Sequence, residues 1–212
     1  MAVMSIAYRP ATPGDAAALA ELIYLAGQSQ YSDSAYNLSL GGSRDEQLNE
    51  IEKLTKTESR SWFHYSHFEV AEAEGRIIAG AAGFDRITAD EKIPGALREI
   101  GWSEGAITEL NERLEEIYAC FPPEPSGYWT LDHIAVLPAW RHQGLARRTI
   151  TRVLERGRSQ GFRYSKLDLF HGNTAARALY ESLGFQWSEA FGTSVLSEVL
   201  GRDALERMTL HL

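Results

Sequence analysis

The segment from residue 128 to residue 170 constrains the fold more than any other stretch of the chain. It reads as an apolar strand, YWTLDHIAVLP, an arginine-rich turn with one glycine, an amphipathic helix, LARRTITRVLERGRSQG, and a second strand, SKLDLF. Strands that are joined through a helix pair in parallel, because a parallel connection needs a long crossover. The segment therefore predicts an α/β fold with a partly parallel sheet, whose ligand binds at the carboxyl ends of the strands.

The residues before this segment predict a strand, two helices and a β-hairpin. The strand SIAYRP precedes a helix whose capping box joins Thr12 to Asp15, and apolar spacing predicts a second helix around Ile51. Residues 28 to 42 are rich in tyrosine, serine and asparagine, and we expect a loop there. Two apolar runs meet at the Glu-Gly dipeptide of residues 74 and 75, which is typical of a hairpin turn.

Residues 85 to 127 interrupt this order with a connection longer than a hairpin link needs. Apolar residues recur at helical spacing from Ile107 to Phe121, so we expect a helical insertion that covers one end of the sheet as a lid or a partner surface. The chain's only cysteine, Cys120, lies at the edge of this helix, and we interpret it as structural rather than as an acyl-carrying nucleophile. A single cysteine also excludes an internal disulfide.

The charge distribution limits the kinds of ligand. The formal net charge of −8 argues against a nucleic-acid-binding protein. Seven arginines and one acid nevertheless fall between residues 141 and 163, a basic island that suits a small anionic ligand. The absence of a long apolar run predicts a cytoplasmic protein without a membrane partner, and the histidine spacing gives no reason to expect a metal site.

The turn between strand and helix is where an anion would bind. Backbone N–H groups at a helix start have no intrahelical partner, and the helix dipole makes that end mildly positive. Pro138 ends the strand, Gly144 allows close approach of the backbone, and Arg141, Arg147 and Arg148 add positive charge. Neither a Walker loop nor a dinucleotide-binding glycine pattern is present, so a different phosphate-binding motif is needed.

Two motifs about 30 residues apart supply a family resemblance. The hexapeptide RHQGLA at 141–146 resembles the R-x-x-G-x-[GA] pyrophosphate loop of the GCN5-related N-acetyltransferases (GNAT), and NTAARALYESLGF at 173–185 resembles the family's N-x-x-A-x-x-L-Y-x-x-x-G-F element. The resemblance implies one N-acetyltransferase domain across residues 1–212. It also implies a mixed, mostly antiparallel sheet, flanked by helices, with a V-shaped splay between central strands.

The resemblance further implies that acetyl-CoA is the cosubstrate. The strand backbone before the loop would pair with the pantetheine arm, and the loop would bind the pyrophosphate. The implied cofactor-binding residues are Ile134, Ala135, Val136, Arg141, His142, Gln143, Gly144, Leu145, Ala146, Arg147, Asn173 and Tyr180.

The sequence indicates the residues that would transfer protons less directly than it indicates the cofactor-binding residues. Tyr180 lies on the inward stripe of its helix, which by periodicity alone indicates a core residue, but the family motif implies that its phenol protonates the departing thiolate. Asp132 or His133 is the candidate general base. Adjacent strand residues point to opposite faces, so only one of them can face the site unless the strand bulges. A water relay to another acid remains an alternative.

The resemblance implies transfer of an acetyl group from acetyl-CoA directly to a primary amine, and a homodimer is compatible with the family. The acidic composition favours a cationic acceptor such as a polyamine, entering between the 28–42 loop and the insertion. Two alternatives remain open. The chain could be a non-catalytic acyl-CoA-binding sensor or interaction module, or it could acetylate a protein N-terminus or lysine.

Overall fold

The computed structural model describes residues 5–192, 197, 201 and 204–212. These residues form one seven-stranded sheet in the order β1-β2-β3-β4-β5-β7-β6. The strands are β1 (Ile6–Pro10), β2 (Phe68–Ala73), β3 (Arg76–Asp85), β4 (Tyr128–Val136), β5 (Tyr164–Phe170), β6 (Gln186–Phe191) and β7 (Leu205–His211). Among the described strands only β4 and β5 pair in parallel, so the expected mixed, mostly antiparallel sheet is confirmed.

Helices cover both faces of this sheet. They are α1 (Ala16–Gln28), α2 (Tyr36–Ser39), α3 (Arg44–Leu54), α4 (Arg86–Asp90), α5 (Ile93–Glu99), α6 (Glu104–Tyr118), α7 (Leu145–Ser159) and α8 (Thr174–Glu181). The apolar sides of α1 and α3 contribute to one core cluster, and those of α7 and α8 contribute to another. Within the described part of the chain, no helix is both long and apolar enough to cross a membrane.

Three parts of the secondary structure differ from the sequence-based expectation. The segment 28–42 is not wholly a loop, because α2 lies within it. The insertion contains α4 and α5 in addition to the expected helix α6. The strand β6 was not anticipated, because it is an edge strand whose side chains are largely exposed and show no apolar alternation.

The insertion lies against the same side of the sheet as α1. Its longest helix, α6, buries Ile107, Leu110, Leu114 and Ile117, as the helical spacing predicted. These side chains belong to the core cluster that also holds the apolar residues of α1 and α3. The Arg113 guanidinium also donates to the backbone oxygen of Ser39, the last residue of α2, at 3.2 Å. The insertion and the 28–42 segment therefore form adjoining walls over this side of the sheet.

Strands β4 and β5 separate after three paired positions. Tyr128 pairs with Tyr164, Trp129 with Ser165, and Thr130 with Lys166, and beyond this point no pairing between the two strands continues in the described residues. Both strands nevertheless run on for several residues, β5 by pairing with β7 on its other side. The gap between the diverging strands is the V-shaped splay that the family resemblance implied.

Candidate functional site

A cavity of about 950 Å³ opens where β4 and β5 diverge. A volume at the upper end of the range for ligand sites leaves room for an extended cosubstrate and an acceptor together. The sequence-predicted site residues that line it are Asp132, His133, Ile134, Ala135, Val136, Arg141, His142, Gly144, Leu145, Ala146, Arg147, Asn173 and Tyr180. Gln143 is exposed and does not contribute to the lining. The two motifs thus meet at a single cavity.

A β-bulge shapes the wall that β4 presents to the cavity. Gly80 of β3 faces Ala135 and Ala82 faces Asp132, so two β4 residues, His133 and Ile134, lie opposite a single residue of β3. His133 has a φ of +48°, a left-handed conformation that costs a non-glycine residue free energy unless its surroundings stabilise it. The bulge interrupts the hydrogen-bond ladder at the point where the strand passes the cavity.

The bulge also decides which side chains face the side of the sheet that α1 and the insertion cover. Leu131 and Ile134 pack in the cluster beneath α7, whereas the ring of His133 lies on the opposite side, among the residues that pack around α1. Asp132 faces that same side, because its carboxylate lies 3.6 Å from the guanidinium of Arg86 in α4. Both candidate bases therefore reach the same side of the sheet, the arrangement that strict alternation would forbid.

The His133 ring is enclosed by aromatic side chains. It stacks against Trp62, Phe63 and Phe68 with centroid separations of 5.7 to 5.8 Å. Its Nδ1 atom lies 3.3 Å from the hydroxyl oxygen of Tyr36. Burial lowers the pKa of His133, because the charged imidazolium loses its hydration there. A buried, neutral imidazole held by four aromatic residues is better suited to fixing the bulge than to collecting protons from an acceptor.

Asp132 is the more accessible of the two candidate bases. Its side chain is 35% exposed, against 3% for His133. One carboxylate oxygen accepts a hydrogen bond of 2.6 Å from the backbone N–H of His133, and the other lies 3.6 Å from Arg86. This arrangement orients the carboxylate while leaving part of it open to a ligand.

Tyr180 lies across the splay from these residues, on α8. Its ring is buried and meets Phe185 edge-on at 6.1 Å, and it lines the cavity. Burial raises the pKa of Tyr180 above its ordinary value, and the negative charge of Asp132 raises it further. The phenol is therefore protonated across the physiological pH range and can act only as a proton donor there.

The turn before α7 has the geometry of an anion-binding loop. Gly144 is the N-cap of α7 with a φ of +74°, and His142 is also left-handed with a φ of +63°. The Gly144 N-cap supplies no side-chain hydrogen bond, so the first backbone N–H groups from Leu145 onward remain available to a ligand. Arg141 donates to the backbone oxygen of Val136 at 3.3 Å, which ties the loop to the end of β4.

The basic island is only partly available to a ligand. Arg152 and Arg156 both pair with the buried carboxylate of Glu69 on β2, at 3.1 and 3.4 Å, so their charges stabilise the fold. Arg147 lines the cavity, but its guanidinium donates to the backbone and hydroxyl oxygens of Ser182. Counting arginines along the sequence therefore overestimated the positive charge at the loop.

Asn173 serves as a helix cap and joins two walls of the cavity. Its Oδ1 accepts from the backbone N–H of Ala176 at 3.2 Å, which caps α8. Its Nδ2 donates to the hydroxyl of Ser29, the residue after α1, at 2.9 Å. The side chain therefore couples α8, which carries Tyr180, to the helix on the other side of the sheet.

A family model for the acetyltransferase (GNAT) family matches residues 36–185, which is more than half of the chain. The chain belongs to the GNAT acetyltransferase family. A sequence comparison with curated proteins found no match.

The solved structures that are similar to this GNAT protein include the following three. An N-acetyltransferase from Staphylococcus aureus Mu50 is 19% identical, with 96% of this chain and 100% of that chain covered and a TM-score of 0.71. The yncA protein of Salmonella typhimurium, solved with its cofactor acetyl-CoA, is 18% identical over 98% and 94%, with a TM-score of 0.56. A mutant of agmatine N-acetyltransferase is 16% identical over 98% and 99%, with a TM-score of 0.57. At these identities the likeness supports the fold, and the acceptor must be argued from this chain itself.

The GNAT motifs did not identify a group of charged residues that also line the cavity. They are Arg86, Asp90, Glu124, Lys166 and Asp168. The β5 members could have been found from the alternation in KLDL, which places the two leucines on one face and the charged residues on the other. The insertion members gave no such signal, because only the folded chain brings them to the splay.

Proposed function

We propose that this protein transfers the acetyl group of acetyl-CoA directly to a primary amine. The observation that carries the proposal is the single cavity that joins the pyrophosphate-type loop, the bulged strand and the two proton-transfer candidates, Tyr180 and Asp132. A chain that only bound acyl-CoA would need the loop and the splay, but not a buried phenol and an accessible carboxylate on opposite sides of the gap. The whole chain would act as one acetyltransferase domain with residues 85–127 as its helical insertion.

The loop and the strand would bind the cosubstrate. N–H groups at the start of α7 suit the pyrophosphate, because they combine unpaired donors with the positive end of the helix dipole. The β4 edge from Ile134 to Val136 faces the splay rather than β5, so its backbone can pair with the amides of the pantetheine arm. Both sets of contacts use backbone groups, and they place the thioester beside the bulge.

The acetyl transfer would proceed by direct attack. The amine nitrogen forms a bond to the thioester carbonyl carbon, and the carbon–sulfur bond then breaks, releasing the CoA thiolate. Asp132 takes one proton from the ammonium group, so that the nitrogen can attack, and Tyr180 gives its phenolic proton to the departing sulfur. The second proton, which the nitrogen loses as the amide forms, restores the phenol of Tyr180 through solvent.

The test of this function is a Tyr180→Phe variant measured for both turnover and binding. We expect kcat to fall by about 10²-fold or more, the usual size of a lost general acid, with the acetyl-CoA Kd nearly unchanged. An unchanged kcat would remove Tyr180 from the mechanism. If the unmodified protein binds acetyl-CoA but releases no CoA with any amine or peptide, it is a sensor. Turnover of peptides alone would favour a protein N-terminus or lysine as the acceptor.

A further inference from the structure

Most of the residues that line the cavity beyond the splay are apolar. The insertion contributes six apolar side chains, Ile93, Leu97, Leu110, Leu114, Ile117 and Phe121, and Tyr118 adds a phenol on the same side. We refer to the space that these six residues border as the acceptor chamber. Leu38, in α2, and Leu40, which follows it, line the cavity from the facing wall. A ligand in the chamber exchanges water for hydrocarbon contacts along most of its length.

The charged groups lie together at the splay rather than along these walls. Of the four carboxylates that line the cavity in the described part of the chain, three have a close cationic partner: Asp90 with Arg86 at 2.8 Å, Glu124 with Lys166 at 2.6 Å, and Asp168 with Arg207 at 2.8 Å. These three pairs offer little net charge to a ligand.

Asp132 is the fourth carboxylate and the least neutralised. Among the described residues its nearest cation is Arg86, at 3.6 Å, and Arg86 is already held at 2.8 Å by Asp90. The splay therefore presents one incompletely paired negative charge, next to the bulge where the proposed transfer takes place. One such charge matches one ammonium group.

The apolar walls disfavour a second charge on the acceptor. A polyamine with its reacting amine at Asp132 would place another cation against the leucines of α6, where it would lose hydration without gaining a partner. An apolar body would instead gain free energy with each methylene that enters the chamber. The acidic composition of the whole chain favoured a cationic acceptor such as a polyamine, whereas the walls of this cavity favour an acceptor with a single cation and an apolar body.

From these contacts we infer that the acceptor is a monocationic primary amine with an apolar body, an alkylamine or arylalkylamine, seated in the acceptor chamber with its nitrogen at Asp132. This inference rests on the proposed acetyl transfer and assigns the acceptor class to the same site. The insertion is then the element that selects the acceptor, because all six residues that define the chamber belong to it.

A series of amines tests the inference through CoA release. From propylamine to heptylamine we expect kcat/KM to rise roughly fourfold per methylene until the chamber is filled. 2-Phenylethylamine should exceed agmatine and spermidine by about 100-fold. A flat series, or equal or better turnover of agmatine, spermidine or a lysine peptide, overturns the acceptor class while leaving acetyl transfer intact. If no amine turns over, the proposed function fails, and calorimetric titration of heptylamine and agmatine into the CoA complex still compares their affinities.

Two alanine variants on one helix provide the matched control. Leu114→Ala removes part of the chamber wall, and we expect about a tenfold loss of kcat/KM for heptylamine with acetyl-CoA affinity retained. Ile107 is equally buried on the same face of α6 but does not line the cavity, so Ile107→Ala should leave the alkylamine series unchanged. Thermal unfolding verifies that both variants are folded, and Leu114→Met replaces the first variant if it is not. If the two substitutions change kcat/KM for heptylamine equally, Leu114 does not contact the acceptor as part of the chamber wall.

Discussion

The hydroxyl oxygen of Tyr36 lies 3.3 Å from Nδ1 of His133, so the short helix α2 is tied to the bulge of β4. Both side chains are buried, and the pKa of the Tyr36 phenol is raised by that burial. The hydrogen bond thus joins two neutral groups in an apolar setting, where losing either partner leaves the other unsatisfied. It connects the wall that contains Leu38 and Leu40 to the strand that would hold the thioester.

Replacing Tyr36 with Phe tests this connection. The ring packing is retained, but Nδ1 of His133 loses its partner, and we expect the free energy of unfolding to fall by about 1 to 3 kcal/mol. Urea denaturation measures the change. Tyr24→Phe is the matched control, since Tyr24 is similarly buried but its hydroxyl makes no hydrogen bond to a described residue. Equal stability of Tyr36→Phe and the unmodified protein would show that the contact contributes nothing.

Acid should destabilise the fold through His64 and His67. Burial lowers the pKa of each to about 4, whereas an unfolded histidine titrates near pH 6.5. The unfolded chain therefore binds protons first, so the stability present above pH 6.5 is lost as the pH falls toward 4. We expect a loss on the order of 1 to 3 kcal/mol per histidine across this window. In denaturant titrations of the double variant His64→Gln/His67→Gln, the free energy of unfolding should decline less steeply as the pH falls. If it declines in parallel with that of the unmodified protein, these two histidines are not the cause.

A comparison of two glycines tests whether the turn before α7 binds the cosubstrate. Gly144 has a φ of +74° at the loop, and Gly161 has a φ of +89° after the other end of α7. Alanine at either position costs about 1 to 2 kcal/mol of backbone strain, and no atom would clash with the added methyl group. Only Gly144→Ala should raise the Kd of acetyl-CoA, by roughly 5- to 30-fold in calorimetric titration. Equal affinities of the two variants would argue against the loop as the pyrophosphate site.

The sequence predicted those parts of the fold whose signals are local. The capping box between Thr12 and Asp15, the hairpin at residues 74–75 and the long stripe of α6 all depend on neighbouring residues, and all three are present. The short helices α2, α4 and α5 have too few turns to show a period. The edge strand β6 buries little and shows no alternation.

The site was predictable to a similar extent. Family motifs led to the loop and to Tyr180, which the structure brings to one cavity. They could not reveal that His133 and Asp132 share one side of the sheet, because the bulge depends on pairing with β3. Nor could they reveal the paired carboxylates at the splay, whose partners come from α4, β5 and β7.

An Asp132→Asn variant separates the two candidate bases. Because the carboxylate is accessible and His133 is enclosed, we expect kcat to fall by about 100-fold at neutral pH. The difference in kcat between this variant and the unmodified protein should become smaller as the pH approaches 10, because the amine then loses its proton in solution and needs no base from the protein. A His133→Phe variant keeps the aromatic stacking and should retain the shape of the pH–rate profile, even if its stability falls. A profile altered by His133→Phe but not by Asp132→Asn would reverse the assignment, and no change in either would favour a water relay to another acid.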